Sequence, residues 1–220
     1  MDVAPLALSL EIASIAIVFA AIVGIALAAL LTRERLPGRN LLDALVTAPM
    51  VLPPTVLGYY LLVALGRRSF IGHAFEKITG SPIVFTKTGA ICAATVGALP
   101  IVVKFARPAL EAVDVTLVRA ARTLGASPLR AFFTIRLPLA ARGIVAALML
   151  AFAKSLGDFG VTLMVAGDIP GETQTASLAI YDLVLARRDA EALSMVLLVS
   201  TVAFVIVFAA NRLTRRRDAH

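Results

Sequence analysis

Apolar residues along this chain gather into five long runs. They extend from Leu6 to Leu31, from Leu41 to Leu65, from Thr88 to Ala106, from Leu139 to Ala166 and from Ala192 to Leu213. Each reaches the length of about 20 residues that a helix needs to cross a bilayer. None alternates apolar and polar positions, so the runs predict helices and not the strands of a barrel, the two structures that can span lipid. The pattern specifies an all-α integral membrane protein with about five transmembrane helices, in one domain over residues 1–220.

Two features interrupt the runs. "APMVLPPTVLGYY" places Pro49, Pro53 and Pro54 inside the second. Three missing backbone donors must kink or break that helix, and broken backbone survives at membrane depth only against protein or beside a wet path. Small residues also recur at fourfold spacing: Ala16, Ala20, Gly24 and Ala28; Gly89, Ala93 and Gly97; Gly143, Ala147, Ala151 and Ser155. Such ridges let helix backbones approach closely in lipid. In an alanine-rich chain they also arise by chance.

Between the third and fourth runs lies the longest internal connection, with a basic segment over about 107–138. Leu110, Val113, Leu117, Ala121 and Leu124 recur at helical spacing, which predicts an amphipathic helix over Pro108–Leu124 with Pro108 in its first turn. Gly125 suits the position past its C-terminus. Ser127 suits an N-cap and Pro128 the first turn of a second short helix, which Pro138 is expected to end at the membrane. Two readings of this helix–glycine–helix elbow stand: it docks into a partner's groove, or it lies on the bilayer with its arginines toward anionic lipid.

Composition sharpens the class. The chain is 60% hydrophobic and carries a formal net charge of +7. In a soluble protein that charge would suggest nucleic acid. Here the basic residues cluster at the ends of apolar runs, as the positive-inside rule demands, which argues against a nucleic-acid partner. Arg33, Arg35 and Arg39, then Lys104, Arg107, Arg119, Arg122, Arg130, Arg136 and Arg142, then Arg212, Arg215, Arg216 and Arg217 all fall on one side of five spans. That side is expected to be cytoplasmic, with the N-terminus periplasmic and the C-terminus cytoplasmic. The 66–87 connection, with Arg67, Arg68, Lys77 and Lys87, is discordant. The first run lacks a basic leader and exceeds a signal peptide's apolar core, so it is expected to be retained. The lone Cys92 reads as a small buried hydrophobe. His73 has no neighbouring ligand residues, so no metal site is expected.

One stretch resists the membrane pattern. "AFAKSLGDFG" sets Lys154 and Asp158 inside the fourth run, where each charge costs roughly 2.5–3.5 kcal/mol on insertion scales. Four residues apart, they share a helix face and can pair. Either they neutralise each other structurally, or they line a pathway or its gate, the reading preferred here. Beyond them, Gly171 and Glu172 sit in an acidic outer connection, and 175–190 reads as a helix with Leu178, Tyr181 and Leu185 on one face.

At this point the residues resemble a known family. "RAARTLGASPLRAFFTIRLP" is similar to the EAA loop of binding-protein-dependent ABC importer permeases, with Ala120, Ala121, Gly125, Ile135, Leu137 and Pro138 at matching spacing. Arg119 stands where that family usually has Glu. "APMVLPPTVLGYYLL", "ARPALEAVDVTLVRAARTLGAS", "AFAKSLGDFG" and "DIPGETQT" together look like the permease subunit of molybdate importers, with sulfate and tungstate permeases close by. The resemblance implies the type I importer fold of methionine-permease kind in a bacterial inner membrane. It implies a homodimer forming the pathway, cytoplasmic ATPase subunits, and a periplasmic oxyanion-binding protein. ATPase coupling would fall to Arg119, Ala120, Ala121, Gly125, Ala126 and Ser127. The pathway or gate would include Pro53, Pro54, Lys154, Ser155 and Asp158, and Gly171 and Glu172 would meet the binding protein. ATP and Mg would be held by the partner, with no cofactor in this chain. The chain itself shows no phosphate-binding loop: "GRRSFIG" is followed by His73 where Lys is required.

Two other classes compete. A membrane enzyme needs clustered Asp, Glu or His, and the acids here are scattered. A stand-alone channel would not copurify with an ATPase.

Overall fold

The computed structural model describes residues 3–33 and 36–215, and the side chains of 213–215 are not described. Arg35, Arg216 and Arg217 lie outside the described residues. Eleven helices are described: α1 (Ala4–Leu31), α2 (Arg39–Val51), α3 (Pro54–Leu65), α4 (Phe70–Thr79), α5 (Lys87–Glu111), α6 (Val115–Thr123), α7 (Pro128–Ala131), α8 (Leu137–Leu156), α9 (Gly160–Ala166), α10 (Ala176–Leu185) and α11 (Asp189–Arg215). Four stretches are long and apolar enough to span a membrane: α1, α5, the run from 128 to 156, and α11. The bent pair α2–α3 makes a fifth.

The small-residue ridges are packing seams. Ala16, Ala20 and Ala28 on α1 are fully buried, as is Ala93 on α5. The two helices close so tightly that a Cβ added to Gly24 would meet Val102 Cγ1 at 2.6 Å. On the third ridge, a Cβ added to Gly143 would meet Ala109 at 2.6 Å, bringing α8 onto α5. α5 is thus the central staff, packed against α1, α2, α8 and α9. Without a hydrophobic drive between helices in lipid, this close van der Waals fit is what holds them.

The prolines break the second span. α2 ends at Val51, and α3 starts at Pro54 with an axis turned by 114°. Pro49 is carried inside α2.

Four expectations are corrected. The helix predicted over Pro108–Leu124 is two elements. α5 runs through Pro108 to Glu111, and α6 starts only at Val115, behind an Asp114 cap. Leu110 and Val113 fit the helical period because they bury in the core with Ala28, Leu31 and Ile144, not because they share the face of α6. Pro138 does not end the second short helix. A π turn over Phe132–Arg136 joins α7 to α8, and its widened backbone gives the proline ring room. The fourth span is likewise not one helix over Leu139–Ala166, because it breaks at Gly157–Phe159 before α9. The outer helix is α10, which ends at Leu185 ahead of Arg187 at φ +56°. It buries Leu178 with Ala176 and Ala179, while Tyr181 and Leu185 are exposed.

The discordant 66–87 connection contains an element of its own. α4 is capped by Ser69 Oγ, which accepts the Gly72 amide at 2.9 Å, and it ends at Gly80 with φ +76°. It exposes Phe70, Ile71 and Ile78.

Candidate functional site

The elbow is built by capping. Asp114 Oδ1 accepts the Thr116 amide at 2.8 Å and also the Thr116 hydroxyl. These two donors hold the exposed Asp114 carboxyl below the usual carboxylate range, hydroxyl first. α6 then closes on a glycine motif: Gly125 adopts φ +89°, its amide donates to Arg122 O at 3.1 Å, and Ala126 N reaches back to Ala121 O at 3.0 Å. Two residues on, Ser127 Oγ accepts the Arg130 amide and starts α7 with Pro128. Caps at each end let a nine-residue helix stand away from the membrane helices, with none of its residues buried.

α6 carries two faces. Val115, Val118, Arg119 and Arg122, spaced by three and four, line clefts against the helix bundle. Opposite them, Leu117, Ala120 and Leu124 are exposed, Leu124 at 89%, and Ala121 is half-buried. Leu129 and Phe133 are also exposed but line the cleft with Val118 and Arg122. Gly125 and Ser127 are exposed, and Ala126 is half-buried. Arg119 is therefore on the inward side of the elbow, facing Arg39, Arg107, Glu111 and Arg136.

From the elbow, α7, the π turn and α8 form one continuous rod of 29 residues to Leu156. Its far end meets the charges. Lys154 Nζ lies 2.9 Å from Asp158 Oδ1, and Thr162 Oγ1 donates to Asp158 Oδ2 at 3.1 Å. Both carboxylate oxygens are satisfied, and Asp158 pins the end of α8 to the first turn of α9 across the break. Asp158 is buried, while the Lys154 side chain is 37% exposed. Ser155 Oγ turns back onto Ala151 O. The freed Leu156 carbonyl accepts Ser177 Oγ from α10 at 3.2 Å, so the break is repaired by a neighbouring helix.

The two broken spans meet. A Cβ on Gly160 would lie 2.7 Å from Pro54 Cβ, and one on Gly58 would lie 2.6 Å from Met164 Cβ. α3 and α9, each the half-helix after a break, pack face to face around Leu57, Val161 and Val165. The structure thus brings Pro54, Lys154, Ser155 and Asp158 into one region, with Pro53 exposed beside it.

Past α9, Gly167 and Gly171 adopt φ +73° and +80°, and Ile169 O accepts the amides of Glu172, Thr173 and Gln174. This knot exposes Gly171 and Glu172 at its tip. Asp168 Oδ1 is buried without a hydrogen-bond donor. Burial, and then neighbouring Asp182, raise the Asp168 carboxyl above the usual range. Thr162, Asp114 and Ser177 are site-shaping residues that sequence reading passes over, while Gly97 is read there only as part of a small-residue ridge. Of these only Thr162 carries a local signal, being four residues from Asp158.

Comparison places this geometry. Residues 20–219 match the family described as binding-protein-dependent transport system inner membrane component. The chain is 49% identical over 177 residues to the molybdenum transport system permease protein ModB of Escherichia coli K12, covering 80% of this chain and 77% of that protein. It is 34% identical over 207 residues to the sulfate transport system permease protein CysT of the same strain, covering 93% and 73%. In structure it resembles a MetNI methionine ABC transporter in an inward-facing conformation, with a TM-score of 0.70 and 20% identity over 96% of this chain and 94% of that one.

Proposed function

Since the chain belongs to the inner membrane components of binding-protein-dependent transport systems and is an ABC importer permease, we propose that its cargo is molybdate. We further propose that it acts as a homodimer, with a separate ATPase docking on the elbow and a binding protein delivering the oxyanion to the opposite side. The elbow side is then cytoplasmic, the N-terminus periplasmic and the C-terminus cytoplasmic. Identity of 49% to a molybdenum permease, against 34% to a sulfate permease, favours molybdate.

One observation carries the mechanism: the unbroken rod from the elbow to the Lys154–Asp158 break. The ATPase grips the outer face of the elbow at Ala120, Ala121, Gly125, Ala126 and Leu124. Movement there is transmitted along α7 and α8 and ends where Asp158 ties α8 to α9. Because α9 rests on Pro54, the α3 half-helix moves with it. The half-open Lys154 offers its ammonium to a passing dianion. Taking it strips buried Asp158 of its cation and leaves only Thr162, so binding is weak by construction. A weak, gated site suits transport, since tight binding inside would stall release. ATP and Mg stay with the partner, whose hydrolysis resets the cycle.

The test is uptake by proteoliposomes carrying the permease, its ATPase and its binding protein. ATP-dependent molybdate uptake, displaced poorly by equimolar sulfate, is expected. Equal displacement by sulfate would reassign the cargo, and uptake without the ATPase would point to a channel. A tag on the N-terminus accessible only from the cytoplasm would overturn the orientation.

A further inference from the structure

Behind the inward face of α6, two clefts of about 690 Å³ each share Val118 and Arg136 and form one groove. Six arginines among the described residues line it: Arg33, Arg39, Arg107, Arg119, Arg122 and Arg136. The only carboxylate lining it, among the described residues, is Glu111, already engaged by Arg39 at 3.7 Å and Arg107 at 2.9 Å. Among the described residues, Arg33, Arg119, Arg122 and Arg136 make no ion pair, although Arg136 Nε donates to Leu110 O. Four guanidinium groups thus face one groove uncompensated.

The floor of the same groove is apolar. Ala26, Ala29 and Leu30 come from the end of α1, and Phe132 and Phe133 from the π turn. The groove is therefore amphiphilic in a fixed order. Its apolar part continues the surface of a membrane-spanning helix, and its cationic rim sits where that helix leaves the bilayer. An inorganic anion would have no use for the floor. A protein docked on the exposed apolar face of α6 would not reach behind it.

We infer that this groove seats one anionic phospholipid, its phosphate on the rim of Arg33, Arg122 and Arg136 and its chains along α1. Basic pockets at helix ends on one membrane side are suited to such headgroups, and the planar guanidinium matches a phosphate's paired oxygens. The lipid then fills the space between the elbow and the bundle and fixes the height at which the elbow stands.

The test uses the purified permease–ATPase complex in mild detergent, titrated with palmitoyl-oleoyl phosphatidylglycerol or the phosphatidylcholine of the same chains and read by native mass spectrometry. Preferential retention of phosphatidylglycerol is expected, and Arg33→Gln/Arg122→Gln should reduce it about tenfold. Arg67→Gln/Arg68→Gln, which removes the same charge outside the groove, should leave it unchanged. Thermal stability measured on both double variants confirms that each is folded. Equal retention of the two lipids, or equal loss in both double variants, overturns the inference. Displacement of the lipid by millimolar inorganic phosphate would assign the groove to a free anion. Loss of the ATPase with retention of the lipid in Arg33→Gln/Arg122→Gln would assign it to the protein partner.

Discussion

The ammonium of Lys154 lies across the bare backbone of Gly97, where an added Cβ would stand 2.6 Å from Nζ. Gly97 on α5 is the recess that lets a lysine fold down onto Asp158 between packed helices.

Gly97→Ala therefore perturbs the charge pair without harming the fold, because the displaced atom is the free end of a flexible side chain. Thermal stability should stay within about 1 kcal/mol of wild type, while uptake falls. Gly24→Ala is the contrasting case. There the methyl meets Val102 Cγ1 at 2.6 Å and Cβ at 2.9 Å. A β-branched residue on a packed helix cannot swing away, so a loss of about 1–3 kcal/mol is expected in a melting assay.

The two halves of the pair should not be equivalent. Lys154→Ala leaves buried Asp158 with only Thr162 for support, at a cost of about 2 kcal/mol. This falls below the range for fully buried pairs, because the Lys154 side chain is 37% exposed. Asp158→Asn keeps an acceptor for Thr162 and should cost less. Both should lower uptake while basal ATPase activity holds. Full uptake with unchanged ATPase in both variants would refute a gate at this position.

At the elbow, Gly125→Ala is strained by φ +89° alone, since nothing lies within 4 Å of the added methyl. About 1–2 kcal/mol is expected for a β-carbon in the left-handed region, and Gly125→Asn should recover part of it. Gly125→Asp adds a charge to the proposed docking surface. Pull-down of the ATPase and uptake should both fall, and retention of both would end the docking assignment.

Asp168 predicts a pH effect in the outer knot. Its carboxyl titrates above the usual range in the folded chain. Its favourable contribution is thus complete below the unfolded value, near 3.9, and is lost as pH rises through the raised folded value. Asp168→Asn should match wild type in acid and hold the knot more firmly at neutral pH, by less than about 1 kcal/mol because the residue is only partly buried. Hydrogen exchange at the Thr173 and Gln174 amides, which both donate to Ile169 O, reads this directly.

What was legible in the sequence was what local chemistry determines. Gly125, Ser127 and Pro128 announce a turn between caps, and Pro53–Pro54 announce a break, because backbone conformation there depends on the residues themselves. Lys154 and Asp158 are within pairing reach by helical period alone. α4 is equally legible, with the Ser69 cap before it and Gly80 after it. Other features lay beyond local reading. Leu110 and Val113 fit the helical period of α6 yet bury elsewhere, since periodicity does not say which neighbour receives a face. Pro138 stops a regular helix but passes through a π turn. The recess at Gly97 and the seat of Gly160 on Pro54 join residues distant in the chain, and only packing reveals them.

That seat has a mechanical consequence. With no side chain on Gly160 and a rigid ring on Pro54, there is no slack at the contact, and α3 and α9 cannot shift past each other independently. The two interruptions of the membrane helices therefore behave as a single leaf on one hinge. The permease is left with one degree of freedom at this contact, where two separate breaks would have given it two.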